Sequence, residues 1–176
     1  IEEKVFENCT GLEKIVIPGS VKTIGDRAFA RCTGLKYVEA PQFKPYTSGD
    51  VGNEVFDGCS NLTTLNVSCD FFCEQSTNQF KNCTGLTEVI IPEGVELIGN
   101  GAFSGCTSLT KVTIPSSVVR ITKYAFSNCT GLKEITIPGN VKSIDEDAFF
   151  ACTGLTEVSL PNGIRGVSGF SGCTGL

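Results

Sequence analysis

The chain of 176 residues contains no histidine, no methionine and no tryptophan. Without histidine there is no Ser/His or Cys/His catalytic dyad, and no GxSxG, HExxH or phosphate-binding glycine loop is present. Zinc sites need closely spaced ligands, usually including histidine, so we expect neither a metal nor another cofactor. The acidic run at 145–147 is typical of a solvated turn. These absences predict a protein that is not an enzyme.

Long apolar runs and an excess of basic charge are also missing. No apolar stretch approaches the roughly 18 residues of a membrane-spanning helix, so we expect no membrane insertion by this segment. The 14 basic and 19 acidic residues give a formal net charge of −5. A mildly acidic surface is unsuited to a polyphosphate backbone, and we expect no nucleic-acid binding.

One motif occurs eight times along the chain. Each copy has a Phe three residues before a Cys and a Leu three residues after it, and four of the seven spacings between successive cysteines are 23 residues. The eight anchors are Cys9, Cys32, Cys59, Cys83, Cys106, Cys129, Cys152 and Cys173. A unit of this length cannot bury its own apolar side, so the repeat predicts stacked units with a shared core.

Each repeat contains a segment whose pattern predicts a β-strand, followed by a residue that ends the strand. The pattern LxxVxIP, as in LTEVIIP and LKEITIP, alternates apolar and polar residues, and its Pro closes the strand in every repeat except the third, where Ser68 stands instead. Six of the eight residues found two positions past the Cys are Gly, which predicts a left-handed turn at that position.

The complete motif CxxLxxVxIPxxVxxIxxxAFxxC resembles the leucine-rich repeats of the BspA-like class, also called the Treponema pallidum type. The resemblance implies a repeat solenoid: a leucine-rich-repeat horseshoe with one continuous parallel β-sheet on the inner face and short turns, 3₁₀ or strand segments on the outer side. We expect a single domain over 1–176, with seven full repeats of about 23 residues plus a partial N-terminal unit. Irregular repeats lie at 35–61 and 62–85.

The cysteines divide into two sets. Stacked positions point parallel at about 4.8 Å, whereas a disulfide needs Cβ atoms about 3.8 Å apart and turned toward each other, so the eight anchors predict reduced, inert thiols. Cys69 and Cys73 break this register. They form either a local disulfide or a pair of reduced thiols.

Two groups of residues are candidates for ligand binding. Val16, Tyr37 and Ile90 fall on outward positions of the predicted sheet, where they either anchor a partner or are ordinary surface residues. Irregular loops carry the second group, which comprises Phe43, Tyr46, Phe71 and Phe72. These aromatics either contact a ligand or fold inward, with Phe71 or Phe72 taking the place of the missing Val.

The resemblance implies a cell-surface or secreted interaction module that adheres to host extracellular-matrix proteins or to other cells through protein contacts. The alternative is a structural spacer within a larger surface protein, with no ligand of its own. Ile1 and Leu176 each fall inside a repeat, so we expect a piece of a longer protein. Because solenoid ends need polar caps, we also expect end-to-end self-association or neighbouring domains.

Overall fold

The computed structural model describes residues 1–176, with the backbone alone described for Ser48. Eleven short strands are numbered in chain order, and seven of them come from the LxxVxI segments and line the inner face. These seven are β1 (Lys14–Val16), β2 (Tyr37–Ala40), β3 (Thr64–Val67), β4 (Glu88–Ile90), β6 (Lys111–Thr113), β8 (Glu134–Thr136) and β10 (Glu157–Ser159). Their parallel pairing confirms the predicted leucine-rich-repeat solenoid.

The inner-face strands form three parallel ladders within the described chain, β1–β2–β3, β4–β6 and β8–β10. The prediction of one continuous sheet is therefore wrong. One break separates β3 from β4, and the other separates β6 from β8. The first break follows from the irregular repeat, because a 3₁₀ turn at Cys69–Phe71 begins two residues after β3 ends.

A second ladder forms on the outer side from the segments that follow the proline. Its strands are β5 (Leu97–Ile98), β7 (Arg120–Ile121), β9 (Ser143–Ile144) and β11 (Gly166–Val167). They are parallel and pair in the order β11–β9–β7–β5. In the N-terminal repeats this ladder is reduced to a single bridge between Ile24 and Val51, beside a 3₁₀ turn at Ser48–Asp50. No described helix has the length and apolarity to cross a membrane.

A column of stacked phenylalanine rings runs through the core. Adjacent ring centroids are 4.9–5.6 Å apart, and adjacent ring planes differ by at most 13°. The rings belong to Phe6, Phe29, Phe56, Phe80, Phe103, Phe126, Phe149 and Phe170. Each aromatic pair stabilises by about 0.5–1.5 kcal/mol beyond its buried area, so the column fixes the spacing of the repeats.

Seven cysteines lie beside this column, and each Sγ donates a hydrogen bond to the carbonyl of the Phe in the preceding repeat. The Sγ–O distances are 3.0–3.3 Å for Cys32, Cys59, Cys83, Cys106, Cys129, Cys152 and Cys173. All seven are buried, whereas Cys9 is exposed. Burial raises the pKa of Cys59 and Cys106 to about 12, which suppresses the reactive thiolate at neutral pH.

The prediction of a left-handed turn two residues past the Cys is wrong, because left-handed backbone recurs at two other positions of the repeat. Positive φ falls on the residue just before the Cys, such as Asn8 and Asn128, and on the residue five before it, such as Arg27 and Tyr124. The predicted glycines have a different role. A Cβ on Gly34 would lie 2.1 Å from the Thr10 carbonyl oxygen, so Gly allows the stacked turns to approach closely.

The irregular repeats place three predicted binding residues in the core. Phe43, Phe71 and Phe72 have exposed fractions of 1%, 0% and 5%, so Phe43 and Phe71 lack the exposed surface that their assignment as ligand contacts requires. The Phe71 N–H donates to the Ser68 carbonyl, as Val21 does to Pro18 in a regular repeat. Phe71 therefore takes the Val position, and its ring centroid lies 5.0 Å from that of Phe43.

The buried thiols predict a loss of stability in alkali. An unfolded thiol titrates near pH ~8.5, whereas folded Cys59 and Cys106 keep their protons to about pH 12. Above pH ~8.5 the folded state thus binds more protons than the unfolded state. The contribution of the protonated buried thiols to stability is complete below pH ~8.5, and the free energy of unfolding falls as the pH rises above that value. We expect Cys106→Ala to flatten this fall by up to about 1.4 kcal/mol per pH unit, measured by denaturant unfolding; parallel curves would contradict this account.

Two aromatic substitutions in the same irregular repeat should have opposite consequences. Phe43→Ser removes a buried ring and should cost about 3–5 kcal/mol, which corresponds to a drop in Tm on the order of 10 °C. Tyr46→Ser should leave the Tm unchanged, because Tyr46 is 79% exposed. Thermal unfolding followed by circular dichroism measures both, and an unchanged Tm for Phe43→Ser would overturn the core assignment.

Candidate functional site

Three apolar side chains stand exposed on the inner face of the solenoid. Val16, Tyr37 and Ile90 have exposed fractions of 55%, 46% and 68%. They occupy outward positions of β1, β2 and β4, since the intervening residue of each strand points to the core side. The inner face is therefore mixed in character, with single apolar side chains among polar ones.

The first cleft lies where β1 and β2 end. It has a volume of about 300 Å³. Its apolar walls are formed by Val16, Pro18 and Pro41, and its polar groups come from Glu39 and Gln42. The prolines that close the strands are thus also the walls of this cleft, and they present rigid, apolar surfaces to solvent.

The second cleft opens at the break between β3 and β4. It has a volume of about 320 Å³ and a largely apolar lining that includes Val67, Phe72, Ile90 and Pro92. Phe72 is almost completely buried, and it is nevertheless one of the residues that line this cleft. A cleft exists here because the 3₁₀ turn replaces the regular path of the chain and the two strands do not pair.

Asn66 lines both clefts and lies between them. It is exposed and pairs in register with Glu39 on β2, which in turn pairs with Val16 on β1. The outward row therefore runs from Val16 through Glu39 and Asn66, with Ile90 beyond the break. We call this surface, formed by the two clefts and the row that crosses them, the twin-cleft surface.

Charged side chains on the inner face are mostly paired across strands. Lys14 Nζ lies 3.1 Å from a Glu39 carboxylate oxygen, and Lys111 Nζ lies 2.6 Å from one of Glu88. Exposed pairs of this kind stabilise by only about 0–1 kcal/mol. Glu134 and Glu157 are register partners on β8 and β10. The C-terminal part of the inner face is therefore more acidic than the twin-cleft surface.

A third opening marks the break between β6 and β8. Its volume is about 440 Å³, and Lys111, Glu134, Thr110 and Thr136 line it together with Val112. This lining is mainly polar. The two breaks therefore differ, because the irregular repeat supplies apolar walls only to the break at β3 and β4.

The remaining predicted residues lie elsewhere. Tyr46 is exposed, and Lys22 connects it to the rim of the first cleft: Lys22 Nζ lies 6.0 Å from the Tyr46 ring centroid and donates to the Gly19 carbonyl at 2.8 Å. Cys69 carries a free, half-exposed thiol in this structure. Cys73 Sγ lies 2.8 Å from Ser76 Oγ. The choice between a Cys69–Cys73 disulfide and two reduced thiols stays a prediction.

The acidic run at 145–147 forms ion pairs with neighbouring strands. Arg120 donates to both carboxylate oxygens of Asp145, with its shortest contact at 2.8 Å, and Lys123 Nζ lies 3.1 Å from Glu146. Within the described part of the chain, no three His, Cys, Asp or Glu side chains are grouped so that they could hold a metal ion.

Asn66 and the strand-closing prolines are cleft residues that sequence reasoning does not single out. The available signal was the third repeat, where Ser68 replaces the Pro and Phe71 and Phe72 follow within the next four residues. That irregularity indicates a change of path after β3, but the resulting gap depends on how two repeats separate in space.

Comparison with solved structures finds close relatives in fold. A leucine rich cell surface protein from Faecalibacterium prausnitzii A2-165 is 34% identical, with a TM-score of 0.70 over 90% of this chain and 41% of that one. The T. pallidum leucine-rich-repeat protein is 26% identical, with a TM-score of 0.76 over 93% of this chain and 77% of that one.

A third relative is a leucine-rich repeat protein from Eubacterium ventriosum ATCC 27560, which is 27% identical with a TM-score of 0.69. The alignment covers 88% of this chain and 40% of that protein. This chain thus spans about two fifths of the F. prausnitzii and E. ventriosum proteins. A search of curated proteins returned no match.

The family model for the BspA type leucine-rich repeat region matches six copies over residues 1–72 and 74–176. The match covers almost the whole chain and agrees with the repeat motif, the parallel ladders and the solved relatives. This chain belongs to the BspA-type leucine-rich-repeat family.

Proposed function

We propose that this chain is a cell-surface or secreted interaction module that binds a protein partner through the twin-cleft surface. In this proposal the module serves adhesion to host extracellular-matrix proteins or to other cells. The proposal rests on one observation: the two clefts meet at Asn66, which lies between the exposed side chains of Val16 and Ile90. The surface location rests on the F. prausnitzii relative, which is described as a cell surface protein.

The chemistry of the twin-cleft surface suits a protein segment. Protein interfaces combine a few buried apolar anchors with a polar rim that forms hydrogen bonds. Here Val16 and Ile90 provide apolar area, the clefts accept apolar side chains of the partner, and Asn66, Gln42 and Glu39 provide donors and acceptors. This binding requires no cofactor and no catalytic group.

The rigidity of the surface also favours recognition. The clefts are walled by Pro18, Pro41 and Pro92, and Phe72 is held from behind by the rings of Phe80 and Phe103 at 6.0 and 5.9 Å. A surface that is already ordered loses little conformational entropy when a partner binds. The irregular repeats therefore provide a preformed site on a regular scaffold.

Charge substitutions in the clefts should weaken binding. Ile90→Asp and Val16→Asp replace exposed apolar side chains, so the fold should tolerate them while affinity falls about tenfold or more, as for interface anchors. Binding to immobilised matrix glycoproteins, measured by surface plasmon resonance, tests this. Val119→Asp is the matched control, since Val119 is 43% exposed and lies outside the inner-face strands.

Three outcomes are distinguishable. Loss in both cleft variants with an unchanged control supports the proposal. Full binding by Ile90→Asp and Val16→Asp would place the contact elsewhere on the molecule. Absence of binding by the parent chain to every matrix protein and cell surface tested would favour the structural spacer.

A further inference from the structure

A polar cleft on the outer side of the solenoid has no role in the proposed protein contact. Its volume is about 260 Å³, and it is lined by Glu74, Asn100, Arg120, Lys123 and Asp145 together with two threonines. These residues belong to four successive repeats and surround β7 of the outer ladder. None of the lining residues belongs to an inner-face strand. We call this surface the outer cleft.

The outer cleft is charge-balanced. Arg120 and Lys123 supply two positive charges, and Glu74 and Asp145 supply two negative ones, so the formal charge of the lining is zero. An anion entering the cleft meets two carboxylates, and a cation meets a guanidinium and an ammonium group. A neutral ligand is therefore favoured, because the two carboxylates repel an anion and the two basic groups repel a cation.

Donors and acceptors nevertheless remain available inside it. Asp145 engages Nε and Nη2 of Arg120, which leaves the two N–H groups of Nη1. Nη1 lies 4.0 Å from the Glu74 carboxylate, which is beyond hydrogen-bonding distance. The side-chain amide of Asn100 is exposed to solvent. It therefore offers both a donor and an acceptor.

A partly exposed aromatic ring lies beside one lining residue of this cleft. Tyr124 is 38% exposed, and Lys123 Nζ, which belongs to the lining, lies 5.0 Å from its ring centroid. The position is five residues before the Cys and has left-handed backbone, which a bulky residue rarely adopts. Other repeats place Lys4, Arg27, Glu54, Asn78, Gly101, Asp147 and Ser168 five residues before the Cys, so folding does not require an aromatic residue.

We propose that the outer cleft binds a neutral saccharide. A sugar hydroxyl accepts a hydrogen bond and donates another, so adjacent hydroxyls can bridge Arg120 Nη1, the Glu74 carboxylate and the Asn100 amide. The apolar face of a sugar ring packs against an aromatic ring such as Tyr124. The volume of about 260 Å³ is just below the ~300–1,000 Å³ of sites for drug-sized ligands, which leaves room for a mono- or disaccharide.

Titration with neutral sugars tests this proposal. The ¹⁵N-labelled protein is titrated with glucose, galactose, mannose, N-acetylglucosamine and their disaccharides, and amide chemical shifts are recorded. At least one sugar should give saturable shifts at Asn100, Arg120 and Tyr124. Asn100→Ala and Tyr124→Ser should each weaken that binding at least tenfold. Asn162→Ala, an exposed Asn outside the cleft, should bind like the parent chain.

Several results would overturn it. These are the absence of saturable shifts up to the solubility limit of every sugar, equal affinity in Asn100→Ala and Tyr124→Ser, or tighter binding of glucuronate or glucosamine than of the neutral sugars. Ile90→Asp, which alters only the twin-cleft surface, should bind the sugar unchanged. A failure of the saccharide proposal is thereby separated from a failure of the protein-binding proposal.

Discussion

The whole solenoid depends on contacts that one Phe and one Cys of each repeat make with the next. The Phe rings stack at 4.9–5.6 Å, and each buried thiol donates to the carbonyl of the Phe in the repeat before it. A thiol is small enough to enter the stack and is still able to satisfy a buried carbonyl. Removing either group would leave a cavity at the place where two repeats meet.

The stacked core constrains everything outside it. Each repeat must turn back within about 23 residues, which it achieves with two left-handed residues before the Cys and a close approach of backbones after it. Where the chain departs from this path, other side chains fill the core and the shape of the surface changes. Phe43, Phe71 and Phe72 fill the core of the irregular repeats, and the change of path after β3 opens the second cleft.

The two proposed surfaces therefore have different physical origins. The twin-cleft surface combines a cleft at the ends of two paired strands with a second cleft at a break in the sheet, and prolines and Phe72 form part of its walls. The outer cleft arises from charged and amide side chains that four successive repeats present around β7. The first offers apolar area to a protein segment, and the second offers a balanced set of hydrogen-bonding groups to a hydroxylated ligand.

The sequence by itself determined the repeat, its period, the strands that precede each Pro and the family. These features depend on local spacing and on residue types that recur in one register, such as the Phe and Leu on either side of Cys106. It left open whether Phe71 or Phe72 replaces a missing Val in the core or contacts a ligand. Outward positions such as Val16 and Ile90 followed from the alternation of a strand.

Only the tertiary structure decided which strands pair, where the left-handed residues fall and which side chains share a cleft. Asn66 joins two clefts because β3 pairs with β2 but not with β4. Arg120 and Glu74 line one cleft although they are 46 positions apart in the sequence. Pairing and cleft formation depend on the distance between repeats, which is set by how whole units pack, and no local pattern encodes that distance.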